Sequence, residues 1–238
     1  MTAQHSGRVT LALADAGEAT DLAAFLGRLI HYDRAAAVRL QAVGGALAVF
    51  GRPPSFEVLA IRTARLAMPA ELDATVSAGQ LLEEIDESAG TAVVPDAVTG
   101  PPWAGVLPPR GGWRQVPGLP DYQAVRGAVA AAVAEFRARD EALEPDRRTR
   151  EERDRIGRDI WSRTLGSTGL PLRAVHAAQS LGFLRPVPVR ASGALLGEPG
   201  AGEALTLLAA GSWLRLRTAY GSIALRRTGL GALTVAPV

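Results

Sequence analysis

The stretch AAVRLQAVGGALAVFG, residues 36–51, decides how the first half of this 238-residue chain is read. Val38, Leu40 and Ala42 alternate with Arg39 and Gln41, and Leu47 and Val49 resume the alternation beyond Gly44-Gly45. Side chains of a strand point to opposite faces with a period of two, so each run predicts a half-buried strand. Gly-Gly supplies the positive φ angles that a two-residue turn demands. The pattern therefore predicts a β-hairpin that turns at Gly44-Gly45.

Upstream, RVTLALA (8–14) alternates as a strand, and Leu22, Phe25, Leu26 and Leu29 fall at helical spacing within EATDLAAFLGRLIHYD. This predicts an amphipathic helix capped by Asp15 or Thr20. Downstream, FEVLAIRTARLA (56–67) is a further strand with Arg62 and Arg65 on or near the surface, and LDATVSAGQLLEEIDES (72–88) is a short strand running into a helix. Residues 91–120 are dense in proline and glycine and lack periodicity. Their core, VTGPPWAGVLPPRGGWRQVPG, predicts a stiff connector whose tryptophans pack between two halves. An Ala-rich helix capped by Asp121, a charged helix over 146–163 and a third helix started by Pro171 follow. Residues 186–203 are expected to form a mobile loop, and 204–227 three short strands.

The hairpin has an echo. Residues 37–49 align without gaps on 204–216, pairing Leu40 with Leu207, Gly44 with Gly211 and Leu47 with Leu214. The expected fold class is α+β, with two related halves that each run from helix to three-stranded antiparallel meander, through internal duplication. The expected domains are an acidic N-terminal half (1–90), the connector (91–120) and a basic helical and β-meander half (121–238).

Composition narrows the chemistry. The absence of cysteine excludes disulfides, thiolate metal sites and a cysteine nucleophile. No run of 18 apolar residues occurs, and the first fifteen residues lack a basic start and a long apolar stretch, so a cytoplasmic protein without membrane span or signal peptide is expected. All 26 basic residues are arginine, a planar, permanently charged fork suited to phosphate and carboxylate. Residues 1–145 hold 12 Arg against 17 acids, and residues 146–238 hold 14 against 7. An acidic half and a basic half point either to an anionic partner or to halves that face each other.

Catalytic and metal patterns are lacking, so no catalytic residue, metal ligand or cofactor is assigned. His5, His31 and His176 are far apart, and His176 fits a packed structural role. GEPGAGEALT (197–206) resembles a phosphate loop only until Glu203, which stands where a P-loop has lysine. Glu83, Glu84, Asp86 and Glu87 fit a solvated helix face better than a cation site. The interleaved charges of 147–163 predict an exposed helix with pairs such as Glu151–Arg155 and Asp154–Arg158. In the C-terminal strands Arg215 and Arg217 alternate with Leu214 and Leu216, which puts both arginines on one face. Arg226, Arg227, Trp213 and Tyr220 lie close in sequence, a mixture of arginine and aromatic groups that suits phosphates and stacked bases.

YDRAAAVRLQ, ALAVFGRPP, GPPWAGVLPPRGGW and WLRLRTAYGSIALRR together resemble an uncharacterised protein family of actinobacteria. That resemblance implies a bacterial cytoplasmic protein and carries no catalytic residues.

The leading expectation is a non-enzymatic binding protein whose basic C-terminal half contacts an anionic partner, nucleic acid first. Arg215, Arg217, Arg226 and Arg227 would meet phosphates, and Trp213 or Tyr220 would stack. The alternative is an enzyme or small-ligand protein with its site where Trp103, Arg110, Trp113 and Arg114 converge at the junction of the halves. A structural adaptor or homo-oligomer joined through its sheets is the third reading.

Overall fold

A computed structural model describes residues 8–98, 107–186 and 205–227. In it residues 37–51 are not a hairpin but one strand, β2 (Ala37–Gly51), paired antiparallel along its length with β3 (Leu59–Ser77). The register runs from Ala37↔Ser77 to Gly44↔Ala70, shifts, and resumes from Ala46↔Arg65 to Gly51↔Ala60. Gly44-Gly45 thus sits at a bulge-like break in the ladder, where Gly45 of β2 and residues 66–69 of β3 are unpaired, with Gly44 at φ +59°. Parity explains it. Val38, Leu40 and Ala42 are buried at even positions before the glycines, and Leu47 and Val49 at odd positions after them. One extra residue returns the apolar side chains to the same face, which a plain strand would not do. The chain reverses later, over Arg52–Val58, through a 3-10 turn at Pro54–Phe56 and Glu57 at φ +51°.

The two segments read as a third strand and a further short strand therefore belong to a single 19-residue strand, β3. Its second edge serves three partners in turn: β9 (Ser222–Arg226) at Leu59–Ile61, Leu13 at Leu66, and Ala97 at Val76. Among the described residues the first half thus has no three-stranded meander, whereas the second has one in β7 (Thr206–Ala210), β8 (Trp213–Arg217) and β9. The sequence echo is not carried by equivalent elements: Gly44 sits in a bulge and Gly211 in the tight turn between β7 and β8. Together with β6 (Arg114–Gln115), these strands form one antiparallel sheet ordered β2-β3-β9-β8-β7-β6. Both halves contribute to it. A second antiparallel sheet, ordered β1-β5-β4, consists of β1 (Thr10–Ala12), β4 (Ile85–Asp86) and β5 (Thr91–Val93).

Five helices complete the α+β fold of the described residues. α1 (Ala16–Tyr32) starts at Asp15, whose carboxylate accepts from the Glu18 amide, and buries Leu22, Phe25, Leu26 and Leu29 in the core shared with the inner face of β2 and β3. It lies so close that a Cβ at Gly51 would stand 2.4 Å from Leu29 Cδ1. α2 (Ala78–Glu83) follows β3, capped by Ser77. α3 (Tyr122–Glu141), capped by Asp121, and α4 (Arg150–Trp161), capped by Thr149, pack beside each other. α5 (Leu172–Ser180) lies between α3 and β9. On the outer face Phe50, Leu59, Ile61 and Ala224 form a separate small cluster, covered by Leu107 and Trp213. Leu107 and β6 make the described end of the connector part of the packing. Trp103, His5 and nearly all of 186–203, expected to form a loop, with most of the stretch resembling a phosphate loop, lie outside the described residues.

Candidate anion-binding face of the sheet

Strand alternation builds the site. Leu214 and Leu216 of β8 are buried on the inner face, which sends Trp213, Arg215 and Arg217 outward. Across the ladder Trp213 faces Arg226, Arg215 faces Ala224 and Arg217 faces Ser222, so Arg226 and Ser222 share that outer face. Arg215 is half-buried. Its Nε donates to Ser222 Oγ at 2.8 Å, and its guanidinium carbon lies 5.8 Å from the centre of the Trp113 ring. Burial lowers its pKa from the ordinary arginine value, and the neighbouring charge of Arg217 lowers it further. Neither Nη of Arg215 has a hydrogen-bond partner among the described residues. Arg226 lies 5.3 Å from the centre of the Trp213 ring, and neither it nor Arg217 has an ion pair among the described residues.

Several arginines of α3 and α4 are different. Arg163 pairs with Glu135 at 2.6 Å, Arg153 with Asp140 at 2.7 Å and Arg139 with Asp159 at 2.5 Å, linking α4 and its C-terminal end to α3. Glu135 is held below the usual carboxylate range by its hydrogen bond from Arg163, and Asp159 by that from Arg139. The expected pairs Glu151–Arg155 and Asp154–Arg158 are not formed. Arg155 meets Glu152 at 2.8 Å, Arg147 the same carboxylate at 3.3 Å, and Arg150 reaches toward Asp154 at 3.8 Å, while Arg153 and Arg163 turn to α3, whose packing the local sequence does not reveal.

Tyr220 and Arg227 do not join the outer face. Tyr220 lies in the turn between β8 and β9, with its hydroxyl donating to the Pro186 carbonyl at 3.2 Å and the Arg185 guanidinium 3.7 Å from its ring centre. Arg227 donates to the Gly211 carbonyl at 2.8 Å and ties down the turn between β7 and β8. Nor do Arg110, Trp113 and Arg114, the described members of the second set, converge. Trp113 reaches Arg215, whereas Arg114 opposes Ala209 and so lies on the other side of the sheet. Arg110 lies near Asp73, whose carboxyl is lowered mainly by the hydrogen bond from Arg39 and also by the charge of Arg110.

Among the described residues, the two halves meet closely around Arg62 and Asp21. Arg62, expected at the surface, is only 6% exposed: it pairs with Glu18 at 3.0 Å and Asp21 at 3.2 Å, and donates to the Tyr220 carbonyl at 2.8 Å. Asp21 also pairs with Arg185. A small partly open cleft of about 10 Å³ lies beside them, the room of a single water. His176 is packed as expected, stacked 4.4 Å from Trp161 and edge-on to Phe56, and burial lowers its pKa. In the acidic cluster Glu84 pairs with Arg8, Glu87 accepts from Thr20, and Asp86 accepts from Ser88.

Sequence reasoning missed Ser222 and the pairing of Trp113 with Arg215. Alternation in SIALRR already places Ser222 on the face of Ala224 and Arg226. No local signal marks Trp113, because its contact spans about a hundred residues.

Fold and site together define an α+β protein in which two sequence halves share one sheet, with an arginine- and tryptophan-bearing outer face. Residues 108–230 match a domain of unknown function, DUF8185, and the chain belongs to that family; residues 7–105 match a second domain of unknown function, DUF8010. No curated protein and no solved structure matches the chain. No described helix is long and apolar enough to cross a membrane.

Proposed function

We propose that this chain is a binding protein whose outer sheet face holds an anionic partner, and that the partner is nucleic acid. One observation carries the reading: Arg215 is half-buried with no carboxylate partner among the described residues. Desolvating a cation without a counterion is unfavourable, and a bound anion removes that cost. Ser222 and Trp113 already orient the planar group, so little rotamer freedom is lost when its Nη atoms engage a phosphate. Arg217 stands two residues along the same face, about 6.6 Å away at strand rise, and Arg226 lies on the neighbouring strand. A row of cations at such spacing fits a repeating charge better than a single small anion. On this reading the protein acts in the bacterial cytoplasm, in keeping with the sequence resemblance, and without catalysis.

The test is fluorescence anisotropy with labelled oligonucleotides over a salt series. Wild type binds at low salt, and Arg215→Ala/Arg217→Ala weakens binding and flattens the salt dependence by about 0.7 in log–log slope per lost phosphate contact on a single strand. Arg153→Ala, which removes a cation already paired with Asp140, leaves binding unchanged. Absence of binding at low salt, or wild-type affinity in the double variant, overturns the reading.

A further inference from the structure

We infer that the occupant of this face is a single polynucleotide strand, with bases stacked on the indoles, and not a duplex; the inference rests on the anion-binding reading above. Three features carry it. First, the anchoring cation is recessed. Arg215 sits half-buried beside Trp113, while Arg217 and Arg226 are exposed. The phosphates of a stiff convex duplex meet protruding side chains first, whereas a flexible strand can lower one phosphate onto a recessed fork.

Second, two part-exposed indoles flank that fork. Trp213 precedes Arg215 by two residues on the same face and is seated on the Phe50–Leu59–Ile61 cluster, and Trp113 touches the Arg215 guanidinium. Unpaired bases stack on such rings whatever their identity; paired bases cannot without leaving their own stack. Third, the described turns of this region, at Gly211-Ser212 and Thr218–Gly221, are short and tied back by Arg227 and Tyr220. Among the described residues no helix or ribbon projects here to enter a groove, as base readout of a duplex requires.

Full-length protein is titrated with labelled (dT)12, with (rU)12, with a 12-base-pair duplex and with inorganic polyphosphate as competitor. The single strands bind at least tenfold more tightly than the duplex and quench tryptophan fluorescence, and the ratio of (dT)12 to (rU)12 affinity identifies DNA or RNA as the source. Trp213→Leu, which keeps apolar bulk on the cluster, weakens single-strand binding roughly tenfold while competition by polyphosphate persists. Trp113→Leu gives the same readout if the Trp213 variant fails to fold by circular dichroism. Equal affinity for duplex and single strand with both tryptophan variants unaffected overturns the inference but leaves the anion-binding reading standing. Binding of polyphosphate with no oligonucleotide bound overturns the inference together with the nucleic-acid assignment above, and leaves only an anion-binding face. Failure of every probe, polyphosphate included, removes both.

Discussion

At the scale of single residues, two buried groups have measurable consequences beyond the proposed face. Arg62 is held by Glu18, Asp21 and the Tyr220 carbonyl, and Arg62→Leu leaves two carboxylates without their shared cation. Breaking a buried pair from one side costs several kcal/mol; because Arg65 still meets Glu18 and Arg185 still meets Asp21, the low end, about 3 kcal/mol, is expected in urea denaturation. His176 gives a pH signature. Burial against Trp161 and Phe56 holds its folded-state pKa below the ordinary histidine value of about 6.5, so the unfolded chain takes up the proton first as pH falls. Stability therefore declines as pH drops through that value and levels off only below the depressed one. His176→Phe removes this part of the slope in melting curves recorded between pH 7 and 5. An unchanged slope would contradict it. Alternation in WLRLR placed Arg215 and Arg217 on one face, but the anchoring of Arg215 by Ser222 and Trp113 was not legible. The first contact depends on ladder register and the second on a connector arriving from far away in sequence.

Among the elements, the bulge in β2 is the most informative. Gly-Gly between two alternating runs can turn the chain or shift its parity by one, and only the change from even to odd apolar positions distinguishes them. The turn-rich sequence RPPS just beyond β2 is where the chain begins to reverse. Deleting Gly45 turns Leu47 and Val49 to the outer face, and loss of the cooperative unfolding transition by circular dichroism is expected. Gly44→Ala forces a side chain into the left-handed region and costs about 1 kcal/mol. A Gly45 deletion that folds normally would mean that register is not set by this residue. The helices were legible because their signals are local: Asp15 and Asp121 cap as expected, and Pro171 precedes the third of the C-terminal helices. β4, β5 and β6 are two or three residues long and take their shape from partners, so no periodicity announced them.

Over the whole molecule, the acidic and basic halves do face each other, at Asp21–Arg185 and Glu57–Arg173 and through the ladder of β3 with β9. Each family-matched region therefore completes the sheet of the other. Calorimetry of the full chain is expected to show one transition, and two well-separated ones would contradict a shared core. The same folding sorts arginines that composition merges: Arg139, Arg153 and Arg163 find carboxylates between α3 and α4, whereas Arg215, Arg217 and Arg226 on β8 and β9 have none among the described residues. The sequence by itself determined the α+β class, the helices with their caps, the C-terminal meander and the outward face of Arg215 and Arg217, because each follows from spacing within one element. Only the tertiary structure decided where β2 turns, that the halves share a sheet, that Arg62 is buried and Tyr220 drawn away, and which arginines lack a counter-charge. Each of these depends on what lies opposite a residue in space, and neither alternation nor composition encodes that.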